Sequence, residues 1–477
     1  MNQSSVIKLN IKEEVLNAVL GKEYILSTSI VGSFLTSSDL SGISDIDVII
    51  IVDELSEFKF KKIIDSFQQI SVKSIGLDEY NVKVNSTFGP LKFNTDKNIV
   101  FHVMIYDTKG HIKHVEESPF TCHSWENFSP ILGYSLSDIY PVLNLQLSDV
   151  LNSRRGLFSY LEDVENGEIT YRKYEFINKE AHVIKDKFKL DSRHKLEYSY
   201  HITFHLLNNF YKIISGAKNS LEPHELILFF QELNFLSKSD RLFFLELYEW
   251  KKKSGQTPKH LISSTKNFIL NFFNSINILS EASTSISFYR HAKTDLNDGT
   301  FLGVRRNPSI IKVSKIYNDE LFDVAYHSEL KRSKETLKYF KFKKHHEASL
   351  INEIDYGLAE GLTLNQLSDK FPEVVRSWAD GEDPRFPEGE NQQDVLNRIE
   401  EFFKQFVFNK KALVITHLVT LRMILAKCLY MDFKNLYKIK INHLEKFDII
   451  NYKNFKFLDI PSDLRTQIRK QLSLQDA

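Results

Sequence analysis

Cysteine is scarce in this sequence: there are two, Cys122 and Cys428, among 477 residues. They lie far apart in the chain, which excludes a disulfide framework and a cysteine-rich zinc site. An excess of charge of either sign is also missing, because lysine plus arginine and aspartate plus glutamate number 62 each. A neutral chain is not a general binder of nucleic acid or of membrane surfaces, although a local patch stays possible.

Long apolar runs are absent as well. No segment reaches the roughly 20 apolar residues of a membrane-spanning helix, and residues 1–8 lack the apolar centre of a signal peptide. We therefore expect a cytoplasmic protein with no membrane partner. The length predicts two to four domains with ample core. The sequence leaves the oligomeric state open.

One β-prone segment ends in two residues that suit phosphate chemistry. An alternating run from Ser285 ends at Arg290 and His291, and polar turn residues follow. This pattern predicts a strand that delivers an arginine and a histidine into the loop at its C-terminal end, which is where ligands bind in α/β sheets. The alternative for these two residues alone is an ordinary surface pair.

Four later segments supply partners for that pair. Arg332 lies near the start of a predicted helix, Glu353 stands beside a glycine-marked turn, residues 387–390 read Pro-Glu-Gly-Glu, and an apolar strand ends at His417. In this order the motifs resemble the histidine phosphatase (phosphoglycerate mutase-like) superfamily over residues 283–460. The resemblance implies a three-layer α/β fold for the C-terminal domain and no cofactor there.

The residue types fit that chemistry. Guanidinium groups bind phosphoryl oxygens bidentately, which suits Arg290 and Arg332. An imidazole can attack phosphorus and hold it covalently, and the resemblance makes His291 this nucleophile. Ala292 departs from the family, which usually has glycine there. Alanine adds one methyl group and keeps the backbone N–H, so we expect activity to survive.

Further site residues follow from the same resemblance. It implies that His417 and Asn297 help to hold the phosphate, and that Glu353 is the proton donor to the leaving oxygen, a role that needs a raised pKa. We expect Lys293 and Arg305, close to the same loop, to contact substrate beyond the transferred phosphate.

The run from Glu353 to Gly361 favours hydrolysis over mutase chemistry. Its pattern Glu-x-Asp-x-Gly-x-x-Glu-Gly, with the short connection to residues 387–390, is typical of the small phosphatases rather than the glycolytic mutases. The expected substrate is therefore a small phosphorylated metabolite.

The N-terminal segment carries a second candidate site. A predicted strand, Tyr24–Val31, precedes Gly32 and Ser33, and then Asp45 and Asp47 open a strongly apolar strand. Residues i and i+2 of a strand share a face, so the two carboxylates can share Mg²⁺. The alternative is an acidic turn before a buried strand.

This Gly-Ser and Asp-x-Asp pattern resembles the small branch of the DNA polymerase β-like nucleotidyltransferases, with the aminoglycoside nucleotidyltransferases, over residues 10–110. The resemblance implies a mixed-sheet fold in which Gly32 and Ser33 contact the triphosphate of an NTP and Asp45 and Asp47 hold the metal. The family adds a third carboxylate from a later strand. Here that position holds His102, and Asp107 lies at the far end of the strand.

The spacing of apolar residues between these sites predicts a helical bundle. The expected organisation is a multidomain α/β protein: a nucleotidyltransferase-like domain (1–115), a helical bundle (116–280) and a histidine phosphatase-like domain (281–477). Apolar spacing predicts five helices in the bundle, at Glu175–Phe188, Arg193–Ile214, Pro223–Phe235, Lys238–Lys252 and Pro258–Leu279. Ser192 and Thr257 are the predicted N-caps. The pair His201 and His205 has helical spacing for a metal, but the sequence offers no third ligand.

Three functions follow as hypotheses. The first is a bifunctional enzyme that hydrolyses a phosphomonoester through phosphohistidine and transfers a nucleoside monophosphate from an NTP to a small acceptor. The second is a phosphatase with a non-catalytic, nucleotide-binding regulatory domain. The third is a nucleotidyltransferase that modifies RNA or protein in a toxin or phage-defence role.

Overall fold

The computed structural model describes residues 3–36, 40, 45–85, 97–253, 260–313, 320–405, 411–431, 437 and 439–474. The chain forms two compact units, residues 1–276 and residues 277–472. The boundary falls within one helix, Leu261–Ala282. The finer division of the first unit at residue 115 stays a prediction.

A five-stranded mixed sheet organises the first unit. Its strands are β1 (Ile25–Val31), β2 (Ile46–Val52), β3 (Asn81–Val84), β4 (Asn98–Asp107) and β5 (Leu132–Gly133). Their spatial order is β3-β4-β2-β1-β5. Strands β2, β4 and β3 run parallel, and β1 runs antiparallel to both of its neighbours.

Alternation along the central strand β2 places Asp47 on the opposite face of the sheet from Val48 and Ile50. Val48 and Ile50 of β2 join a buried apolar cluster that includes Val15 and Phe67 from two helices. Because successive side chains of a strand point to opposite faces, Asp47 lies on the face away from this cluster. Ile49 and Ile51, which share the face of Asp47, are also buried, so Asp47 is a half-buried residue near the beginning of an otherwise buried strand.

The segment predicted as helix over residues 175–188 is a β-hairpin, so that prediction was wrong. Its strands are β6 (Glu168–Ile177) and β7 (Glu180–Lys189), joined by Asn178 and Lys179. Both turn residues have positive φ, +52° and +71°, as a two-residue type I′ turn requires.

Helices make up most of the rest of the first unit. Asp191 caps the helix Ser192–Ser215 through a side-chain bond to His194 N–H, so Ser192 is the first helical residue rather than the cap. Thr257 lies outside the described residues. The helices, with the one that contains the boundary, are Gln3–Val19, Ser33–Thr36, Glu57–Gln68, Val72–Ile75, Thr108–Glu117, Pro119–Trp125, Leu136–Ile139, Leu147–Asn152, Leu157–Asn166, Ser192–Ser215, Pro223–Glu232, Lys238–Lys253 and Leu261–Ala282.

A six-stranded sheet organises the second unit. Its strands are β8 (Thr284–Arg290), β10 (Val324–His327), β12 (His345–Glu347), β13 (Ala412–Thr416), β14 (Lys446–Tyr452) and β15 (Phe455–Asp459), and the pair β9 (Leu321–Phe322) and β11 (Lys341–Phe342) forms a separate ribbon. The order is β12-β10-β13-β8-β14-β15. The first four strands are parallel, whereas β14 runs antiparallel to β8 and to β15.

Helices accompany this sheet, as the predicted α/β architecture requires. They are Lys331–Leu337, Leu364–Lys370, Pro372–Ala379, Gln392–Gln405, Leu418–Leu429 and Ser462–Leu472, with 3-10 turns at Ser349–Ile351 and Gly357–Ala359. Strand β13 is buried throughout, as expected for a central parallel strand. Within the described ranges, the protein has no helix with both the length and the apolar character needed to cross a bilayer.

Candidate active sites

Two histidines meet where the central parallel strands end. Strands β8 and β13 pair in register up to Arg290 and Thr416, so His291 and His417, the next residues of each strand, emerge at the same edge. Their ring centroids lie 4.9 Å apart. Both rings are buried, as the predicted convergence requires.

The hydrogen bonding of His291 defines its tautomer. Its Nδ1 lies 2.7 Å from the carbonyl oxygen of Ala292, and a carbonyl oxygen only accepts. Nδ1 therefore carries the proton, and Nε2 keeps its lone pair. Burial, reinforced by Arg332, holds the pKa of His291 well below its usual value, so the ring stays neutral and nucleophilic.

His417 has the opposite tautomer. Arg332 Nε–H donates to His417 Nδ1 at 3.2 Å, and His417 Nε2 lies 2.7 Å from Ser328 Oγ. Because Nδ1 accepts, Nε2 carries the proton and donates to the serine.

Arg332 is 1% exposed and also donates to the carbonyls of Gly303 and Arg306. Burial lowers the pKa of Arg332, but guanidinium remains charged at neutral pH.

Arg290 presents an unused donor. One guanidinium nitrogen donates to the carbonyl of Ile441, whereas its Nε is buried and has no hydrogen-bond partner among the residues that the structure describes. Burial lowers the pKa of Arg290 to about 10. A buried donor without an acceptor is costly, and a phosphoryl oxygen would satisfy it.

Glu353 is a buried carboxyl at the start of the helix Leu418–Leu429. Its oxygens accept from the backbone N–H groups of Ile354 at 3.1 Å and Val419 at 3.2 Å. Burial raises the pKa of Glu353, and the charge of Arg332 opposes the rise only in part. A carboxyl with a raised pKa can hold a proton for a leaving group.

The three residues predicted to contact substrate from the loops, Asn297, Arg305 and Lys293, differ in their contacts in the structure. Asn297 Oδ1 accepts from the backbone N–H of Thr294 at 2.7 Å and from its hydroxyl, so this oxygen shapes the loop. Arg305 pairs with Asp355 at 2.9 Å, and Lys293 is exposed. Substrate contacts by Asn297, Lys293 and Arg305 stay predictions.

Sequence analysis missed three residues of this site. Ser328 contacts His417 as described. Arg422 donates to the carbonyl of Ile439 at 2.6 Å, and its charge acts on Arg290 and Glu353. The ring of His443 lies 5.2 Å from that of His291. An antiparallel strand beside β8 would have been the signal for His443, since residues that precede such a strand lie at the end of its neighbour.

The N-terminal site gathers three potential ligands. Parallel pairing of β2 with β4 places His102 beside Asp47, and His102 Nδ1 lies 2.9 Å from Asp47 Oδ1. One ligand atom from each of Asp45, Asp47 and His102 falls within 4.8 Å of the others. Burial acts to lower the pKa of His102, but hydrogen bonding and charge from Asp47 raise it overall.

Gly32 and Ser33 lie beside the cluster of Asp45, Asp47 and His102, whereas Asp107 has a structural role. Gly32 has φ +81°, and a Cβ there would stand 2.9 Å from Asp47 Oδ2, so the close approach needs glycine. Ser33 is exposed at the start of a short helix. Asp107 caps the helix Thr108–Glu117 by accepting from Gly110 N–H, so in this structure His102, not Asp107, accompanies the two aspartates.

Comparison with known proteins finds a family match for most of the second unit. Residues 286–458 match the model of the histidine phosphatase superfamily (branch 1). Phosphoserine phosphatase 1 of Hydrogenobacter thermophilus is 30% identical over 161 residues, which cover 30% of this chain and 75% of that protein. Fructose-2,6-bisphosphatase of Saccharomyces cerevisiae is 27% identical over 143 residues, and the match spans 30% of each chain.

Solved structures are similar over the same share of the chain. The alpha-ribazole phosphatase of Shigella flexneri is 19% identical and covers 37% of this chain and 95% of its own, with a TM-score of 0.32. The phosphoserine phosphatase of Entamoeba histolytica, in complex with 3-phosphoglyceric acid, is 20% identical and covers 38% and 99%, with a TM-score of 0.33.

Proposed function

Since the chain belongs, through residues 286–458, to the histidine phosphatase superfamily, we propose that its second unit hydrolyses small phosphomonoesters through a phosphohistidine at His291. The observation that carries this proposal is the neutral His291 ring, with its Nε2 lone pair free, beside the guanidinium groups of Arg290 and Arg332 and a protonatable carboxyl. Such a site can stabilise phosphoryl charge without a metal.

The first half-reaction transfers the phosphoryl group to the enzyme. Nε2 of His291 attacks phosphorus, and the ester P–O bond breaks as the N–P bond forms. Glu353 gives its proton to the departing alkoxide oxygen, so the alcohol leaves neutral. Arg290 and Arg332 neutralise the non-bridging oxygens, and the unused Nε–H of Arg290 gains its acceptor.

The second half-reaction regenerates the enzyme. Water attacks phosphorus, and the carboxylate of Glu353 takes the proton that the water loses. The N–P bond breaks, inorganic phosphate leaves, and His291 returns to the neutral tautomer that donates to Ala292. Two displacements at one nitrogen replace a single difficult attack by water.

Rapid-quench labelling tests this route. Substrates labelled at phosphorus, chosen among sugar phosphates and phosphoserine after the names of the relatives, should leave an acid-labile, base-stable label on the protein. His291→Ala should abolish the label and the release of phosphate. Turnover by wild-type protein without any labelled intermediate would contradict the covalent route.

We also propose that the first unit transfers a nucleoside monophosphate from an NTP to a small acceptor. The supporting observation is the convergence of Asp45, Asp47 and His102 within 4.8 Å, on the sheet face opposite the apolar core. Carboxylate oxygens suit Mg²⁺, and the imidazole nitrogen additionally suits Mn²⁺ or Zn²⁺, so these residues fit a divalent cation.

Each residue has a defined part in that proposal. When bound, a divalent cation would supply neutralisation of phosphate charge at this cluster. Asp45 and Asp47 would hold it, and His102 would orient Asp47 through the 2.9 Å contact. Gly32 leaves room beside Asp47 Oδ2 for the triphosphate, and Ser33 offers an exposed hydroxyl.

Two measurements test the second proposal. Calorimetry with Mn²⁺ should show binding that Asp47→Asn abolishes, whereas Asp53→Asn, beyond the other end of the same strand, should retain it. NTP labelled at the α-phosphate, with magnesium and candidate acceptors, should yield pyrophosphate and a labelled small molecule. Binding of NTP without turnover would favour a regulatory domain, and label on RNA or protein would favour a macromolecule modifier.

A further inference from the structure

The loop before β14 is held tightly against the nucleophile. Arg290 N–H donates to the Glu445 carbonyl at 3.1 Å, and Leu444 N–H donates to the Arg290 carbonyl at 3.0 Å. His443 Nδ1 lies 2.9 Å from the carbonyl oxygen of His291. Two main-chain bonds and one side-chain bond therefore hold this loop in place beside residues 290 and 291.

The backbone of this loop is strained. Leu444 has φ +66°, a left-handed conformation that residues other than glycine rarely adopt. Strain of this kind persists where surrounding bonds over-determine it, and it concentrates at functional sites. Here the strained residue directly follows the one whose ring stands 5.2 Å from the ring of His291.

The tautomer of His443 follows from the same bond. The carbonyl of His291 can only accept, so Nδ1 of His443 carries the proton and Nε2 keeps a lone pair. Burial and the nearby charge of Arg290 lower the pKa of His443 to about 4, so the ring is neutral in neutral solution. Because Nε2 lies across the ring from Nδ1, it points away from the His291 carbonyl.

Most side chains around His291 are hydrogen-bond donors, and an acceptor other than Glu353 is unusual there. Arg290 and Arg332 only donate, and His417 Nε2 already donates to Ser328. Phosphoryl oxygens accept hydrogen bonds, so they satisfy these donors and gain nothing from Nε2 of His443. A group that uses this nitrogen must itself carry a hydrogen on oxygen or nitrogen.

We propose that His443 is a substrate-recognition residue whose Nε2 accepts a hydrogen bond from a hydroxyl group close to the phosphoester. This inference deepens the proposed phosphatase function and rests on it. It narrows the substrate class to phosphorylated compounds with a hydroxyl near the ester carbon, as in polyol and sugar phosphates.

Matched substrates and variants test the proposal. Glycerol 3-phosphate and propyl phosphate differ only in hydroxyl groups. The amide N–H of asparagine can replace Nδ1–H of histidine, and its oxygen does not reach the position of Nε2, so His443→Asn keeps the donor to His291 and removes the acceptor from that position. We expect the kcat/KM ratio of glycerol 3-phosphate to propyl phosphate to fall about tenfold in His443→Asn, the value of one hydrogen bond. His346→Ala, an exposed residue of β12, should leave the ratio unchanged.

A binding measurement separates this proposal from the proposed function. In His291→Ala protein, which should not turn over, calorimetry should show tighter binding of glycerol 3-phosphate than of propyl phosphate, and His443→Asn should remove the difference. An unchanged ratio would overturn the recognition role, because equal losses on both esters are expected if His443 only supports His291 or a water molecule. Selective binding without hydrolysis by wild-type protein would instead overturn the phosphatase function alone.

Discussion

The two candidate sites differ in the charge that they would present to a phosphate group. At the C-terminal site, the guanidinium of Arg332 and the imidazoles of His291 and His417 are buried beside the ends of parallel strands, so an anion meets positive charge supplied by the protein. At the N-terminal site, the Asp47 side chain is 30% exposed and that of His102 is 49% exposed. Two carboxylates repel a triphosphate unless a cation intervenes. A buried site can therefore act alone, whereas an open acidic one depends on a metal.

The largest expected effect separates the two sites. His291→Ala should lower phosphatase kcat at least about 1,000-fold, because the nucleophile is lost and its partners act only through it. It should leave Mn²⁺ binding to the first unit unchanged. Phosphate release and calorimetry on the same preparation check both statements. Phosphatase activity that survived His291→Ala would show that the nucleophile lies elsewhere.

Removal of the proton donor should have a smaller, leaving-group-dependent effect. Glu353→Gln keeps an acceptor for the backbone N–H groups but has no acidic proton. We expect kcat to fall roughly 100-fold for alkyl phosphates, as for a typical general acid, and much less for 4-nitrophenyl phosphate, whose leaving group needs little protonation. Equal losses on both substrates would argue against Glu353 as the acid.

A pair of glycine-to-alanine substitutions tests the metal site. Gly32→Ala places a Cβ 2.9 Å from Asp47 Oδ2 at φ +81°, whereas Gly21→Ala, at φ +73°, meets no atom within 4 Å. Both variants bear similar backbone strain, of about 1 kcal/mol. Only Gly32→Ala should weaken Mn²⁺ binding, by about tenfold, in calorimetry. Equal affinities in the two variants would show that Asp47 does not need its present position.

The smallest effect concerns stability. Because the folded-state pKa of Glu353 is raised above its ordinary value of 4.5, its stabilising contribution is complete below that value. The contribution is lost as pH rises through the folded-state pKa. We expect Glu353→Gln to have a higher Tm than wild type at pH 8 and no advantage at pH 4. Thermal unfolding of both proteins from pH 4 to pH 8 measures the difference in Tm. A difference that does not change with pH would show that the raised pKa of Glu353 does not affect stability.

Local patterns were sufficient for some of these features. Alternating or apolar runs that end at His291 and His417 predicted strands with functional C-terminal ends, and pairing of β8 with β13 brings those ends together. The prediction failed at the hairpin β6–β7. Its residues satisfy helical and strand periodicity alike, and the positive φ of Asn178 and Lys179, together with packing of Tyr174 and Phe176 on Phe60, selects the strands.

The sequence by itself determined the chemical types at both sites and the elements that carry them, because strand periodicity and turn residues act over a few positions. Only the tertiary structure decided which distant groups meet. Strand order and burial decided the tautomers of His291 and His417 and the unused donor of Arg290. They also decided the position of His102 beside Asp47 and that of His443 beside a residue 152 positions away. Those properties arise when non-local segments pack, so no short stretch of sequence contains them.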